Sequence, residues 1–306
     1  DRGLVGSEMC IRDRFRELEF KTWLEALLTG GGATAAGAAG KGAPVADSAE
    51  KASELAPVAA AVEVTTVLEQ AVFDEWLAKL EAAELFAFDT ETTSLDYMVA
   101  EVVGVSFAVE PGAAAYVPLA HDYPGALDQL SRDAVLEALK PLLEDAETAK
   151  VGQHLKYDAN VLANHGITLR GIHDDTMLES YILDAAGSRH DLDTLALKYL
   201  GQRTIHFEDI AGKGAKQLTF NQVPIEEAAP YAAEDAEVTL RLHQMLSEKL
   251  NQAPSLSTLY RELEMPLVPV LSRIERNGAL VCRDTLAAHS QELGERILSL
   301  EAKAHD

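Results

Sequence analysis

Hydrophobic positions along the chain first cluster in short runs and later recur at helical spacings. A helical pattern at Val67–Glu84 is followed by three apolar runs, at 85–88, 102–109 and 115–119, which polar residues and a Pro-Gly pair separate. Short apolar runs bounded by turn residues are typical of strands. The three runs therefore predict a meander of three successive strands.

Beyond these runs the spacing of apolar residues becomes helical. Ser131 is positioned to cap a helix that runs to Leu143, and Val151 lies in a short strand-like piece. Further helices are predicted at Leu155–Asn164, Asp175–Leu183, Leu192–Leu200 and, after Pro230, Tyr231–Leu250. Strands followed by helices indicate an α/β or α+β domain, with a mixed β-sheet flanked by helices, over about residues 62–252.

The regions on either side of this domain have different patterns. Residues 1–14 show no periodicity, and residues 15–28 have apolar positions at helical spacing without a visible partner. Residues 29–61 are rich in Ala and Gly and poor in large apolar side chains, so little burial would offset the entropy of ordering them. This predicts a disordered, flexible linker. Residues 253–306 return to a helical pattern.

Length and composition restrict the class of protein. The chain has 306 residues, so one full domain with flanking pieces is expected. It is 47% hydrophobic, yet no apolar run approaches the ~18 residues that a membrane span needs. Its two cysteines, Cys10 and Cys282, form no CxxC motif, which excludes a disulfide scaffold and a zinc ribbon. We expect a soluble, cytoplasmic protein without a membrane partner.

The charge of the chain is strongly acidic but uneven. The net charge of −24 argues against a polyanionic partner, because nucleic-acid affinity comes mainly from neutralising phosphates. Residues 50–149 contain 20 acids and 4 bases, whereas residues 150–220 contain 9 acids and 8 bases. Any nucleic-acid contact is therefore expected in the second stretch.

Several carboxylates have spacings that could serve chemistry. Asp89 and Glu91 stand two apart at the end of an apolar strand, so both side chains leave the same face and could share one cation. Tyr231 and Asp235 lie one helical turn apart, and Asp158 is near the start of a helix. Each feature has an ordinary alternative: a solvated strand end, a half-buried tyrosine, or an acid favoured by the helix dipole.

Together these residues form an ordered pattern of DxE, a later Asp and YxxxD. The chain resembles the proofreading 3′-5′ exonuclease domain of family A bacterial DNA polymerases, DEDD exonucleases with a tyrosine in the last motif. The resemblance rests on DTETTSL (89–95), GQHLKYD (152–158), DTMLESYIL (175–183), GKGAKQLTFNQ (212–222) and YAAEDAEVT (231–239).

The resemblance implies a ribonuclease H-like fold and four regions. Residues 1–28 would combine a doubtful start with the end of a 5′ nuclease domain, where FRELEFKTWL (15–24) is similar to that domain. Residues 29–61 would be the linker, and 62–252 the exonuclease domain. Residues 253–306, which include LEMPLVPVLSRIERNG (263–278), would be the truncated start of a polymerase domain.

The resemblance also implies two-metal hydrolysis with Mg²⁺ or Mn²⁺, which oxygen-only ligands select. Asp89 would bridge the two cations, Glu91 and Asp235 would complete the first, and Asp158 would hold the second. Tyr231 would orient the attacking water, because an unperturbed phenol is a poor base. Four gathered acids would repel one another and have raised pKa values in the metal-free site.

Substrate contacts are implied in the same way. Leu95 would be an apolar wedge against terminal bases, and Phe220 a ring on which a base packs, or otherwise an ordinary core aromatic. Gln153 and His154 would face the terminal nucleotide, although the family has asparagine where this chain has His154. Candidate contacts to the DNA backbone are Arg189, Lys213 and Lys216, although a solvated surface base is the favoured interpretation for each residue taken singly.

The implied function is proofreading of single-stranded or frayed DNA 3′ ends by a monomer, with a polymerase domain in cis and a role in replication and repair. One alternative is a stand-alone RNA-trimming exonuclease with the same acids. Another is a catalytically silent spacer, which the presence of all four acids and the tyrosine disfavours.

Overall fold

The computed structural model describes residues 62–186 and 189–305, apart from the side chain of Ala215. The predicted linker and the segments before it therefore lie outside the described residues.

A six-stranded mixed β-sheet forms the centre of the fold. Its strands are β1 (Glu63–Thr66), β2 (Leu85–Thr92), β3 (Val102–Glu110), β4 (Ala113–Pro118), β5 (Ala149–Gly152) and β6 (Ile172–Asp175). Their order across the sheet is β1-β4-β3-β2-β5-β6. β2, β3 and β4 are antiparallel neighbours, whereas the remaining pairs are parallel. The predicted meander and the predicted mixed sheet are confirmed.

Ten α-helices are present in the described ranges. They are α1 (Gln70–Ala82), α2 (Arg132–Glu144), α3 (Leu155–Asn164), α4 (Thr176–Leu183), α5 (Leu192–Leu195), α6 (Phe207–Ala211), α7 (Ile225–Asn251), α8 (Pro254–Leu259), α9 (Met265–Asn277) and α10 (Arg283–His305). Two π-helical segments, Ala196–Leu200 and Tyr260–Glu264, continue α5 and α8. The side chain of Ser131 caps α2 as predicted, accepting a hydrogen bond from the backbone of Ala134.

Three predicted helix boundaries are wrong. The pattern from Val67 begins too early, because β1 precedes it and α1 starts at Gln70. Asp175 ends β6 and caps α4 with its side chain. The helix predicted from Tyr231 starts at Ile225 and passes through Pro230. Proline in a helix removes one backbone donor, and here it follows a turn in which Ala228 and Ala229 are buried.

The two faces of the sheet bury side chains of different size. On β2, Phe86 and Phe88 point into a large core with α1, α2 and α3, whereas Ala87 points to the opposite face. There it meets Ala233 and Ala236 of α7. Small side chains on both surfaces let the helix approach the sheet closely. This close approach sets the distance between the polar residues at the end of β2 and the polar residues of α7.

Beyond α7, the helices α8 and α9 and the π-helical segment between them pack on the domain through Tyr260, Met265 and Val268, which are buried. The side chains of α10 are all exposed. Within the described part of the chain, none of the helices combines the length and the apolar character needed to cross a bilayer.

Candidate active site

The alternation of β2 directs Asp89 and Glu91 toward α7. Both residues have the parity of Ala87, whose side chain contacts that helix. Asp235 of α7 lies opposite, and one carboxylate oxygen from each of the three acids falls within 4.8 Å of the others. The structure thus brings together three of the four acids predicted from the sequence.

Asp158, the fourth acid, is held by the other side of the same strand. Its Oδ1 accepts hydrogen bonds from the backbone N–H of Thr90 at 3.0 Å and from the Thr90 hydroxyl at 2.6 Å. Thr90 has the opposite parity to Asp89, so α3 delivers Asp158 from the face that α7 does not cover. Asp158 is outside the three-acid cluster but close enough for its charge to affect Glu91 and to be affected by Asp89.

Burial raises the pKa values of all four carboxyls, and repulsion from neighbouring acids adds to it for Glu91, Asp158 and Asp235. Burial raises the pKa of Asp89 to about 6. Burial, followed by the charges of Asp89, Asp235 and Asp158, raises the pKa of Glu91 well above its usual range. The pKa values of Asp158 and Asp235 rise for the same two reasons. The expected repulsion is present, but burial is the larger cause.

The donor set fits divalent cations that prefer oxygen. The cluster contains carboxylates only, and Oε1 of Glu91 is buried without a hydrogen-bond partner. A buried carboxylate oxygen without a donor is costly, so this atom marks a place where a cation or a bound water would be stabilised. No cysteine or histidine competes for the ion at this cluster.

Tyr231 lies beside these acids on the first part of α7. Its hydroxyl hydrogen-bonds Asp235, and burial together with the charges of Asp235, Glu91 and Asp89 raises its pKa above the usual value. The phenol therefore stays protonated at neutral pH and is a donor rather than a base.

Gln153 and His154 form the turn between β5 and α3. His154 has a left-handed backbone with φ of 65°, and its N–H donates to Oδ1 of Asp175 at 3.1 Å. The amide of Gln153 is used within the protein, donating to the His190 carbonyl and accepting from Thr176. These bonds tie the turn to the segment that carries Arg189, and the expected contact of Gln153 with the terminal nucleotide stays a prediction.

The aromatic residue expected to pack on a base is in the core instead. Phe220 is 4% exposed and contacts Tyr116, His121 and Tyr231. The ring that is partly exposed beside Tyr231 is Phe207, which stacks on Phe220 with centroids 6.2 Å apart and lies 6.3 Å from Tyr231. The structure favours the core alternative for Phe220, because Phe207 lies against it.

The remaining predicted contacts are on the surface. Leu95, in the loop after β2, is 93% exposed, as a wedge residue would have to be. Arg189 pairs with Asp191 at 3.0 Å, and both line a cleft with Gln153 and His154. Lys213 pairs with Glu208, and Lys216 is exposed on the following turn.

The sequence analysis missed three residues that build this site: Thr90, Asp175 and Phe207. Thr90 and Asp175 lie inside the motifs DTETTSL and DTMLESYIL, so their positions were marked. Their roles depend on partners 68 and 21 residues away, which no local pattern reveals.

Comparisons with known proteins agree with this geometry. A family model described as a 3′-5′ exonuclease matches residues 64–251. The chain is 61% identical over 294 residues to DNA polymerase I of Pseudomonas aeruginosa, covering 95% of this chain and 31% of that protein. It is 44% identical over 253 residues to DNA polymerase I of Rhizobium leguminosarum, covering 77% of this chain and 25% of that protein.

Two solved structures share the fold. The POL domain of Pol1 from M. smegmatis, in complex with DNA primer-template and dNTP, matches 76% of this chain and 36% of that chain with a TM-score of 0.61 and 22% identity. NrnC of Brucella melitensis bound to pGG matches 71% of this chain and 94% of that chain with a TM-score of 0.53 and 17% identity.

The chain spans about a third of the P. aeruginosa protein and a quarter of the R. leguminosarum protein. The family match covers most of the described domain, and the site acids lie within it. The chain therefore belongs to the 3′-5′ exonuclease family and carries the exonuclease domain found in homologues of bacterial DNA polymerase I.

Proposed function

We propose that this chain hydrolyses the 3′-terminal phosphodiester of single-stranded or frayed DNA and releases nucleoside 5′-monophosphates. The observation that carries the proposal is the cluster of Asp89, Glu91 and Asp235, in which a buried oxygen of Glu91 has no partner. Clustered acids with raised pKa values that also contain an unsatisfied oxygen are typical of metal-dependent phosphodiesterases.

Two divalent cations, Mg²⁺ or Mn²⁺, are the proposed cofactors. Asp89 would contact both, Glu91 and Asp235 would complete one site, and Asp158 would contribute to the other through Oδ2, because both Thr90 bonds end on Oδ1. When bound, the cations would activate a water and neutralise charge on the attacking and leaving oxygens. They would also lower the carboxyl pKa values that burial raises.

Tyr231 is proposed to orient the nucleophilic water. Its raised pKa keeps the proton on the phenol, so the hydroxyl can donate to Asp235 or to a water but does not remove a proton at neutral pH. Glu91 is the neighbouring acceptor for that water.

The apolar residues around the cluster suggest how a DNA end is received. Leu95 is exposed on the loop after β2, and Phe207 offers part of its ring beside Tyr231. Both could contact bases of any sequence through stacking and apolar surface. His154, Gln153 and Arg189 border the adjoining cleft. We propose His154 and Arg189 as contacts for the terminal nucleotide, with Gln153 acting through the turn.

The wider context of the protein is proposed in the same terms. Residues 62–252 would be the exonuclease domain, and residues 253–306 the start of a polymerase domain whose remainder acts in cis. Residues 1–28 and 29–61 would be the end of a 5′ nuclease domain and a linker. The whole protein would be a monomeric cytoplasmic DNA polymerase I acting in replication and repair. The 61% identity to DNA polymerase I of P. aeruginosa supports the assignment to a DNA polymerase I.

The test uses the 306-residue chain and a 5′-labelled single-stranded DNA. With Mg²⁺ or Mn²⁺ the label should pass through a ladder of shorter products, and EDTA should abolish the ladder. A matched RNA oligonucleotide measures the RNA-trimming alternative, and equal or faster RNA degradation would favour it. Activity that survives full chelation, or no activity on either substrate, would contradict the proposal.

A further inference from the structure

Helix α3 carries Asp158, but its outer face is held by residues that follow the part of the chain matched by the family model. Lys156, Asn160 and Asn164 recur every four residues, so they share one face of α3. Each of them contacts α9. Asp158 lies on a different face, directed at Thr90 of β2.

The contact between α3 and α9 is polar and dense. Glu275 pairs with Lys156 and accepts from the Asn160 amide at 3.2 Å. Ser272 donates to the Asn160 side chain at 2.6 Å. Arg276 donates to the Asn160 carbonyl at 2.6 Å and to the Asn164 side chain at 3.0 Å. Several bonds along one face fix both the rotation and the height of a helix.

A second contact fixes the start of α3. The fully buried Tyr260 accepts from the backbone N–H of Asp175 at 3.0 Å and donates to Oδ1 of Asp174 at 3.1 Å. The side chain of Asp175 in turn accepts from the N–H groups of His154 and Leu155 at 3.1 and 2.9 Å. Only one residue, Asp175, therefore separates the Tyr260 hydroxyl from the turn that begins α3.

The acids around Tyr260 belong to a structural network. Asp174 forms one group with Glu179 and His243 whose atoms lie within 4.8 Å of one another. Asp174 already pairs with the guanidinium of Arg261 at 2.9 Å and bonds Tyr260. Oε2 of Glu179 is buried without a partner, but Glu179 pairs with His243 through its other oxygen. An added cation would have to compete with His243 and Arg261, so in this structure the group anchors Tyr260 and Arg261 to β6.

We propose that Tyr260 and Glu275 are positioning residues for the exonuclease reaction, which act by setting the place of Asp158 relative to β2. The inference rests on the proposed function, in which Asp158 is the one metal ligand on α3. Productive metal geometry tolerates displacements of only about 0.5 Å in its ligands. The segment after residue 251 is then part of the exonuclease site's support, although it contributes no ligand.

The test compares Tyr260→Phe and Glu275→Ala with Glu262→Ala in the full 306-residue chain. Glu262 is an exposed acid on the same segment, which provides a matched control. Calorimetry measures Mn²⁺ affinity without DNA, and steady-state kinetics measures the metal concentration for half-maximal hydrolysis. Tyr260→Phe and Glu275→Ala should each lower the Mn²⁺ affinity and raise the half-maximal metal concentration by roughly tenfold. This is the lower end of the effects of groups that orient metal ligands. Glu262→Ala should leave both unchanged.

A conservative variant separates positioning from general stability. Glu275→Gln keeps one acceptor oxygen of the two that Lys156 and Asn160 use, so it should restore part of the Mn²⁺ affinity that Glu275→Ala loses. Circular dichroism verifies that every variant is folded at the assay temperature. If folded Tyr260→Phe and Glu275→Ala chains bind Mn²⁺ as tightly as Glu262→Ala does, the inference is overturned and the proposed function is not. An unmodified chain that binds no Mn²⁺ and degrades no DNA would overturn the proposed function, and the inference with it.

Discussion

At the scale of single residues, burial determines the protonation of the site. Asp89, Glu91, Asp158 and Asp235 all have raised pKa values, and loss of hydration is the largest cause in each case. In the absence of cations the site therefore favours protons, and cations and protons compete for the same oxygens.

This competition predicts how the stability of the metal-free chain depends on pH. The folded-state pKa of Asp89, about 6, is above the ordinary value of 3.8. Its stabilising contribution is therefore complete below about pH 4 and is lost as the pH rises through 6. A difference of this size is worth up to about 3 kcal/mol. In EDTA, the stability of Asp89→Asn relative to that of the unmodified chain should therefore be greater at pH 7.5 than at pH 4.

Urea unfolding of both chains at the two pH values measures this difference. Adding Mg²⁺ at pH 7.5 should stabilise the unmodified chain and have little effect on Asp89→Asn. A variant that loses stability on going from pH 4 to pH 7.5 as steeply as the unmodified chain would contradict the assignment of the raised pKa to Asp89.

A second prediction at this scale separates the metal ligands from the orienting phenol. Asp158→Ala should nearly eliminate hydrolysis, because it removes a proposed metal ligand. The variant should still fold, because the loss of repulsion with Asp89 offsets part of the stability lost with the two Thr90 hydrogen bonds. Tyr231→Phe should reduce the rate by about 10²-fold or less, as for a single positioned donor. Single-turnover rates of the folded variants make the comparison, and equal damage would exclude a purely orienting role for Tyr231.

At the scale of elements, the parts predicted from the sequence are those with a strong local pattern. β2 was predicted from its apolar run, and its alternation of Phe and Ala also accounts for the placing of Asp89 and Glu91. β1 and β6 were missed because EVTT and IHDD contain few apolar residues, and both strands depend on pairing with β4 and β5. The sequence did not indicate Phe207, because the burial of Phe220 depends on Tyr116 and His121, which are distant from it in sequence.

The turn before α3 gives a prediction at the level of elements. His154 is the one non-glycine residue of the described ranges with positive φ, a conformation that asparagine also adopts readily. His154→Asn should keep exonuclease activity within several-fold and preserve the start of α3. His154→Ala should raise KM more than it lowers kcat, because a side-chain contact to the 3′ end is lost, and should cost up to about 1 kcal/mol of stability from backbone strain.

His154→Gly is the control that distinguishes the side chain from the backbone. Glycine adopts positive φ without strain but offers no hydrogen bond. In thermal unfolding, His154→Gly should therefore be as stable as His154→Asn. In steady-state kinetics, it should have the raised KM of His154→Ala. An inactive but folded His154→Asn chain would indicate a function for the imidazole that asparagine cannot provide.

At the scale of the whole molecule, the acids are divided between a cluster of carboxylates alone and a network that includes basic partners. Among the described residues, Asp89, Glu91 and Asp235 form the carboxylate cluster, whereas in the second group Asp174 is paired with Arg261 and Glu179 with His243. Each group keeps one buried oxygen without a partner, on Glu91 and on Glu179, so the two groups differ in the basic partners that only the second one has. The helices that follow residue 252 pack on the domain, as Tyr260 does, and add no further carboxylate cluster among the described residues.

This division predicts that the 306-residue chain shortens primers and does not extend them. Nucleotide incorporation requires its own pair of cations held by carboxylates, and the cluster of carboxylates alone that the described residues form is the one assigned to hydrolysis. A 5′-labelled primer annealed to a template, incubated with Mg²⁺ and all four dNTPs, should give only products shorter than the primer on a denaturing gel. In the same assay Asp158→Ala should leave the primer intact, because it removes hydrolysis without creating synthesis. Products longer than the primer in either chain would show that a polymerising site exists within these residues and that the acids are divided differently from the arrangement described above.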